Sequence, residues 1–144
     1  NMSYNHSEEQ NWLNWLDDNL LATYERKQRT SVFELEWFKN NQHELRIKAQ
    51  LVAFTGRNPT PYLGNEKGKL VPTDISISPI TISELAFQVR YRYEIMPLSY
   101  LYLVYSKGGR VSANDEEDNL SNLYRRPWNN PEKENFTVKL RYRF

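Results

Sequence analysis

The residues of this chain that could do chemistry are mostly charged, and they sit at every second position of a few short runs. Arg46 and Lys48, then Arg90, Arg92 and Glu94, then Lys139, Arg141 and Arg143 are each separated by one apolar or aromatic residue. Guanidinium and ammonium groups at that spacing project from one side of an extended strand. Such a row can pair with carboxylates, and Glu34, Glu36 and Glu44 are spaced to supply them. It can also line a route for an anionic solute. Burying so many charges in a dry interior is prohibitive, so this face is expected to be wet or densely paired.

Other reactive constellations are weak. His6 and His43 are the only histidines and lie far apart, without zinc-ligand spacing. The chain has no cysteine, which removes disulfides and thiolate chemistry. The run Asp115-Glu116-Glu117-Asp118 lacks the alternating ligands of an EF-hand loop and reads as a solvated acidic loop. There is no glycine-rich phosphate loop and no nucleophile elbow. Asn1-Met2-Ser3 and Asn135-Phe136-Thr137 match the short glycosylation pattern, which is too common to weigh. Arg125-Arg126-Pro127-Trp128 reads as a loop pinned over a rim, or as an exposed recognition patch. No catalytic residue, metal or cofactor is assigned. With 19 basic and 18 acidic residues the chain has no charge excess that calls for nucleic acid.

The elements that carry the charged rows are strands. In 43–54, Leu45, Ile47, Ala49 and Leu51 alternate with Glu44, Arg46, Lys48 and Gln50. Apolar residues at every second position would wind around a helix, so a strand is required. The same alternation covers 83–96, with Leu85, Phe87, Val89, Tyr91, Tyr93 and Ile95 on one side, and the end of 20–38, with Phe33, Leu35 and Trp37. A weaker strand spans 100–106. The closing run 136–144 places Phe136, Val138, Leu140, Tyr142 and Phe144 opposite Thr137, Lys139, Arg141 and Arg143. Residues 1–18, with Trp12, Leu13, Trp15 and Leu16 clustered, are expected to be a non-strand loop or rim segment.

Short turns at 39–42 and 96–99 alternate with long connections at 55–82 and 107–134. No run approaches the 18 apolar residues of a membrane helix, but a membrane β-barrel needs only alternate apolar positions. The expected fold is therefore all-β: the C-terminal portion of an antiparallel transmembrane barrel over 19–144, with about five strands and two long extracellular loops. Five strands cannot close such a barrel, and an open edge cannot be left in lipid. The remaining strands are expected from elsewhere in a longer protein or from another chain. Phe144 would then lie at the periplasmic rim, with Tyr91, Tyr93 and Tyr142 toward the same side.

The segments Thr23–Arg29, Trp37-Phe38, His43–Gln50, Phe87–Glu94, Leu101–Ser106 and Val138–Phe144 resemble the C-terminal region of the DUF5916 family of uncharacterised bacterial proteins. The resemblance implies a secreted protein, found in Bacteroidota among others, in which a carbohydrate-binding-like domain precedes an outer-membrane barrel. It implies no reaction and no catalytic residues. It also makes Phe136, Val138, Leu140, Tyr142 and Phe144 look like the signal read by the barrel assembly machinery. The expected function is a non-catalytic outer-membrane anchor or pore for solute uptake or export. Its partners would be outer-membrane lipid, the assembly machinery and the missing strands. The alternative is a soluble all-β glycan-binding module with Trp12, Trp15 and Trp128 as stacking residues.

Overall fold

The computed structural model describes all residues 1–144. Its elements are β1 (Met2–Asp17), β2 (Leu20–Phe38), β3 (His43–Gly64), β4 (Leu70–Pro72), β5 (Ile80–Met96), β6 (Ser99–Ala113), α1 (Leu120–Asn129) and β7 (Lys133–Arg141). They form one antiparallel sheet in the order β1-β2-β3-β5-β6-β7, with β4 paired to the end of β3. The sheet is a meander and does not close. β1 is bonded only to β2, and β7 only to β6.

The strands are long: β3 alone has 22 residues. The turns at Asp18-Asn19, 65–79 and 114–132 lie at one end of the sheet, here called upper. Those at 39–42 and Pro97-Leu98 lie at the lower end. Tight reversal has a local cause at each lower turn. Asn40 takes a positive φ of 76°, which asparagine tolerates. Pro97 presets the first corner of its turn, and Leu98 occupies the second at φ 65°.

Cross-strand register fixes which side chains share a face. Leu35, Ile47, Val89, Tyr105 and Phe136 form one row, and Trp37, Leu45, Tyr91, Leu103 and Val138 the next. The opposite face carries Glu36, Arg46, Arg90, Val104 and Thr137 in one row, and Glu44, Arg92, Tyr102 and Lys139 in another. The alternation expected for 43–54, 83–96 and the end of 20–38 is thus continuous across the sheet.

Four expectations need correction. Residues 1–18 are not a loop: Met2–Asp17 is a strand. Its partners are the polar middle and upper part of β2, with Ser7 opposite Gln28 and Glu8 opposite Lys27. Both of its faces are polar there, so no period-2 signal marks it. A register shift between Glu9 and Trp12, with Asn11 at φ 57°, adds a bulge. Second, the connections are shorter than 55–82 and 107–134. β3 runs on to Gly64 through Pro59 and Pro61, β5 starts at Ile80, and β6 continues through Gly108-Gly109 to Ala113. Third, the second connection contains a helix. Fourth, the sheet has seven strands. Five of them, β2, β3, β5, β6 and β7, pass through the lower half. β1 ends its pairing at Phe33 and β4 pairs only Tyr62–Gly64, so both belong above it. The closing strand ends at Arg141, with Tyr142, Arg143 and Phe144 beyond it.

Candidate functional site

Two surfaces stand out: a bare apolar face in the lower half of the sheet, and the charged face behind it.

The apolar face is built by alternation alone. Toward its centre lie Leu45, Ile47, Val89, Leu103 and Val138. Aromatics occur in every row: Phe33 and Phe87 in the uppermost, where Lys107 and Glu134 continue it, then Tyr105 and Phe136, then Trp37 and Tyr91, with Tyr93 below. Nothing in the chain covers most of it. Phe136, Val138 and Leu140 are 67%, 57% and 62% exposed, and Leu35 and Trp37 are 42% and 46% exposed. Soluble monomers rarely show so continuous an apolar patch. The imidazole on this face is accommodated by its neighbours: His43 Nδ1 lies 2.6 Å from the Tyr91 hydroxyl, and the ring stacks on Tyr93 at 4.8 Å.

Higher up, the same face changes character. The rows above Leu51 carry Arg29, Ala53, Thr55, Thr81 and Ser83 in place of large apolar residues. Residues 114–130 lie over them. Leu123 is fully buried against Leu51, Ala53 and Leu85, with Tyr124 packed alongside. The Tyr124 hydroxyl bonds Ser31, and Trp128 meets Phe87 edge-on at 5.3 Å. Thr55 donates to the Glu117 carbonyl at 2.8 Å and Thr81 to the Asp115 carbonyl at 2.8 Å. Asp118 is clamped by Arg29 and by Arg57 at 2.9 Å. Arg126 holds Asp115 at 2.6 Å and Glu117 at 3.3 Å. The Arg126 guanidinium lowers the Asp115 carboxyl below its ordinary range. The acidic run is therefore not a solvated loop. All four of its carboxylates tie the helix segment to the sheet or to itself, Glu116 through Arg57 at 4.0 Å.

Gly109 is the seat of this cover. A Cβ there would stand 2.5 Å from the Pro127 carbonyl and 2.6 Å from that of Asn130. The helix C-terminus can approach β6 only because residue 109 has no side chain. A readable signal for α1 did exist. Leu120, Leu123, Tyr124, Pro127 and Trp128 fall at i, i+3, i+4, i+7 and i+8, the spacing of a helical stripe. Asn119 caps the start, its side chain accepting from the Ser121 N–H. Pro127 and Pro131 masked the pattern, since proline argues against a helix interior; Pro127 sits in the last turn.

On the polar face, Arg46, Lys48, Arg90, Arg92 and Glu94 of β3 and β5 stand with Lys139 and Arg141 of β7. Arg143 lies past the end of β7, its backbone N–H donating to the Ser99 hydroxyl at 3.0 Å. Pairing is uneven. Lys48 meets Glu34 at 2.6 Å, Arg46 meets Glu36 at 3.5 Å and also Glu44, and Arg92 meets Glu44 at 2.9 Å. Glu44 is almost fully buried between its two arginines. Arg90, Glu94, Lys139, Arg141 and Arg143 form no ion pair. A groove of about 440 Å³ runs over this face past Glu34, Lys48, Gln88, Ser106 and Asn135.

The aromatic residues proposed as stacking platforms do not gather. Trp12 packs edge-on against Phe54 at 5.1 Å, with Arg26 over its ring. Trp15 is exposed and donates to the Asp18 carbonyl at 2.9 Å. Trp128 belongs to the helix cover on the other face.

No helix is long and apolar enough to cross a membrane, which says nothing about strands. No protein-family model, no curated protein and no solved structure matches this chain.

Proposed function

We propose that this chain is part of an outer-membrane β-barrel of a larger bacterial protein, serving as a non-catalytic membrane anchor or as a pore for solute. The reading rests foremost on the bare apolar face. It crosses five neighbouring strands without interruption and is backed by a charged face. On β7 it runs over Phe136, Val138 and Leu140, below an upper margin where Glu134 pairs with Lys107 of β6. A charged interior opposite a lipid-facing exterior satisfies both solvents at once.

The open edges support the same reading. The outer side of β7, and the free side of β2 below Glu34, have no neighbouring strand in this chain. In hydrocarbon those backbone groups must be paired, so further strands of the same barrel would lie against them. On this reading the upper half of the sheet and α1 project beyond the lipid. The exposed row of Phe136, Val138 and Leu140 would be a surface met by the barrel assembly machinery, and membership of the DUF5916 family is part of the proposal. A soluble glycan-binding sandwich would instead need a second layer over the lower apolar rows.

Heat-modifiable migration tests this. The full-length protein, extracted in detergent, is expected to run faster on a denaturing gel unheated than after boiling. A full-length protein that is soluble and monomeric without detergent would overturn the proposal.

A further inference from the structure

The charges on the polar face are sorted by strand. The acidic residues Glu34 and Glu36 stand on β2, and Glu44 at the lower end of β3. They are consumed by Arg46, Lys48 and Arg92. The basic residues farther across the sheet are left over. Arg90 faces Arg46 on one side and Val104 on the other. Lys139 faces Tyr102, and Arg141 faces Tyr100. The single acid near them is Glu94, opposite Tyr100. All three bases are exposed.

From this arrangement we infer that Arg90, Lys139 and Arg141 form a binding track for an extended polyanion, a solute carrying several phosphate or carboxylate groups. The inference rests on the reading of this face as the wet interior of the barrel. β5 and β7 are separated by β6, so Arg90 stands about 10 Å from the Lys139 and Arg141 strand. The register also steps the bases down the face, Lys139 one row and Arg141 two rows below Arg90, so an extended chain of charges can meet all three at once. Arginine supplies a planar fork matched to phosphate or carboxylate oxygens, and lysine a mobile point charge. Tyr100 and Tyr102 lie between the bases with ring centroids 6.1 Å apart. Their hydroxyls can donate to the same oxygens. Arg92 is held over Tyr100 at 5.4 Å and by Glu44, so it shapes the track without being free to join it.

The test uses the full-length protein folded in detergent, with tripolyphosphate and orthophosphate as probes in a calorimetric titration at low salt. Tripolyphosphate is expected to bind, to bind more tightly than orthophosphate, and to weaken as salt screens the charges. The triple variant R90Q/K139Q/R141Q is expected to lose at least about tenfold in affinity, given that each base contributes a charge-assisted contact. K39Q/K67Q/K69Q makes the same change in net charge on exposed positions away from this face, and it is expected to bind as the parent does. Absence of tripolyphosphate binding, equal affinity for the two probes, or equal loss in both triple variants would each overturn the track. The gel shift on heating is read on the same samples. A protein that shows the shift but does not bind overturns the track alone, whereas one without the shift overturns the barrel reading beneath it.

Discussion

The lower and upper halves of one sheet face have opposite solutions to the same problem. Below, alternation places large aliphatic and aromatic side chains outward, and the chain leaves them bare. Above, the outward positions become small or polar, and the chain folds residues 114–130 back over them. Leu123 is sealed against Leu51, Ala53 and Leu85, while Val138 stands 57% exposed on the neighbouring stretch. A protein that can bring a helix down onto this face, yet stops it at the level of Phe87 and Trp128, is divided into a part covered by itself and a part to be covered by something else. The hydrophobic contribution of the lower half is realised only when that cover is supplied.

The most damaging change to this division should be Leu123→Ala. Truncating a fully buried leucine under the helix costs about 2–5 kcal/mol where neighbours cannot close the gap. Hydrogen exchange should then show the amides of α1 released while those of the lower strands stay protected. Uniform loss of protection would show that the two halves are one cooperative unit and not two. A charge on the bare half is the next lever. Val138→Arg should cost about 2–4 kcal/mol in reversible folding of the full-length protein into lipid vesicles, the range for arginine near the midplane of a barrel wall. Val71→Arg, at a comparably exposed position of β4, should fall within about 0.5 kcal/mol of the parent. Equal small effects at both positions would mean that water, not lipid, meets the lower face.

Gly109→Ala probes the seat of the helix. Its methyl group would overlap the Pro127 and Asn130 carbonyls, so the helix terminus must lift, at about 1–3 kcal/mol by thermal or denaturant unfolding. Gly68, at the tip of a loop with open space around it, is a poor control because its φ of 72° is itself a reason for glycine. Gly64→Ala meets nothing closer than 3.6 Å and should be mild by comparison.

The smallest effect concerns pH. The Arg126 guanidinium holds Asp115 below its ordinary value, so the folded carboxylate is favoured. A depressed folded value contributes stability that is fully present above the unfolded value of about 3.9 and is lost as pH falls through the folded one. The amide signals of α1 should therefore move in a step below about pH 4, and Asp115→Asn should diminish that step. An unchanged titration in the variant would remove Asp115 from the latch.

Part of this structure is legible in the order of the residues alone. The strands of the lower half were readable because their period is local: each side chain chooses a solvent, and the next chooses the other. Leu45 with Arg46, and Val89 with Arg90, carry that choice without reference to any partner. β1 was not legible for the converse reason. Ser3 to Glu9 are polar on both faces, and only pairing with β2 makes them a strand. The helix had a signal in Leu120, Leu123 and Tyr124, but its prolines contradicted it locally, and what it packs on comes from β3 and β5, far away in the chain.

The charged site divides in the same way. That Arg46, Lys48, Arg90, Arg92, Lys139 and Arg141 share a face follows from alternation and strand order. Which of them are neutralised depends on register. A slip of one residue would turn every charge to the other face, and a slip of two would move Lys48 away from Glu34. Alternation is a property of consecutive residues, so the amino-acid order alone establishes two faces of opposite character and a series of strands to carry them. Pairing, coverage and leftover charge are properties of residues 14 to 93 positions apart, such as Lys48 with Glu34 and Tyr124 with Ser31. Those distances close only when the sheet is assembled and the chain returns across it.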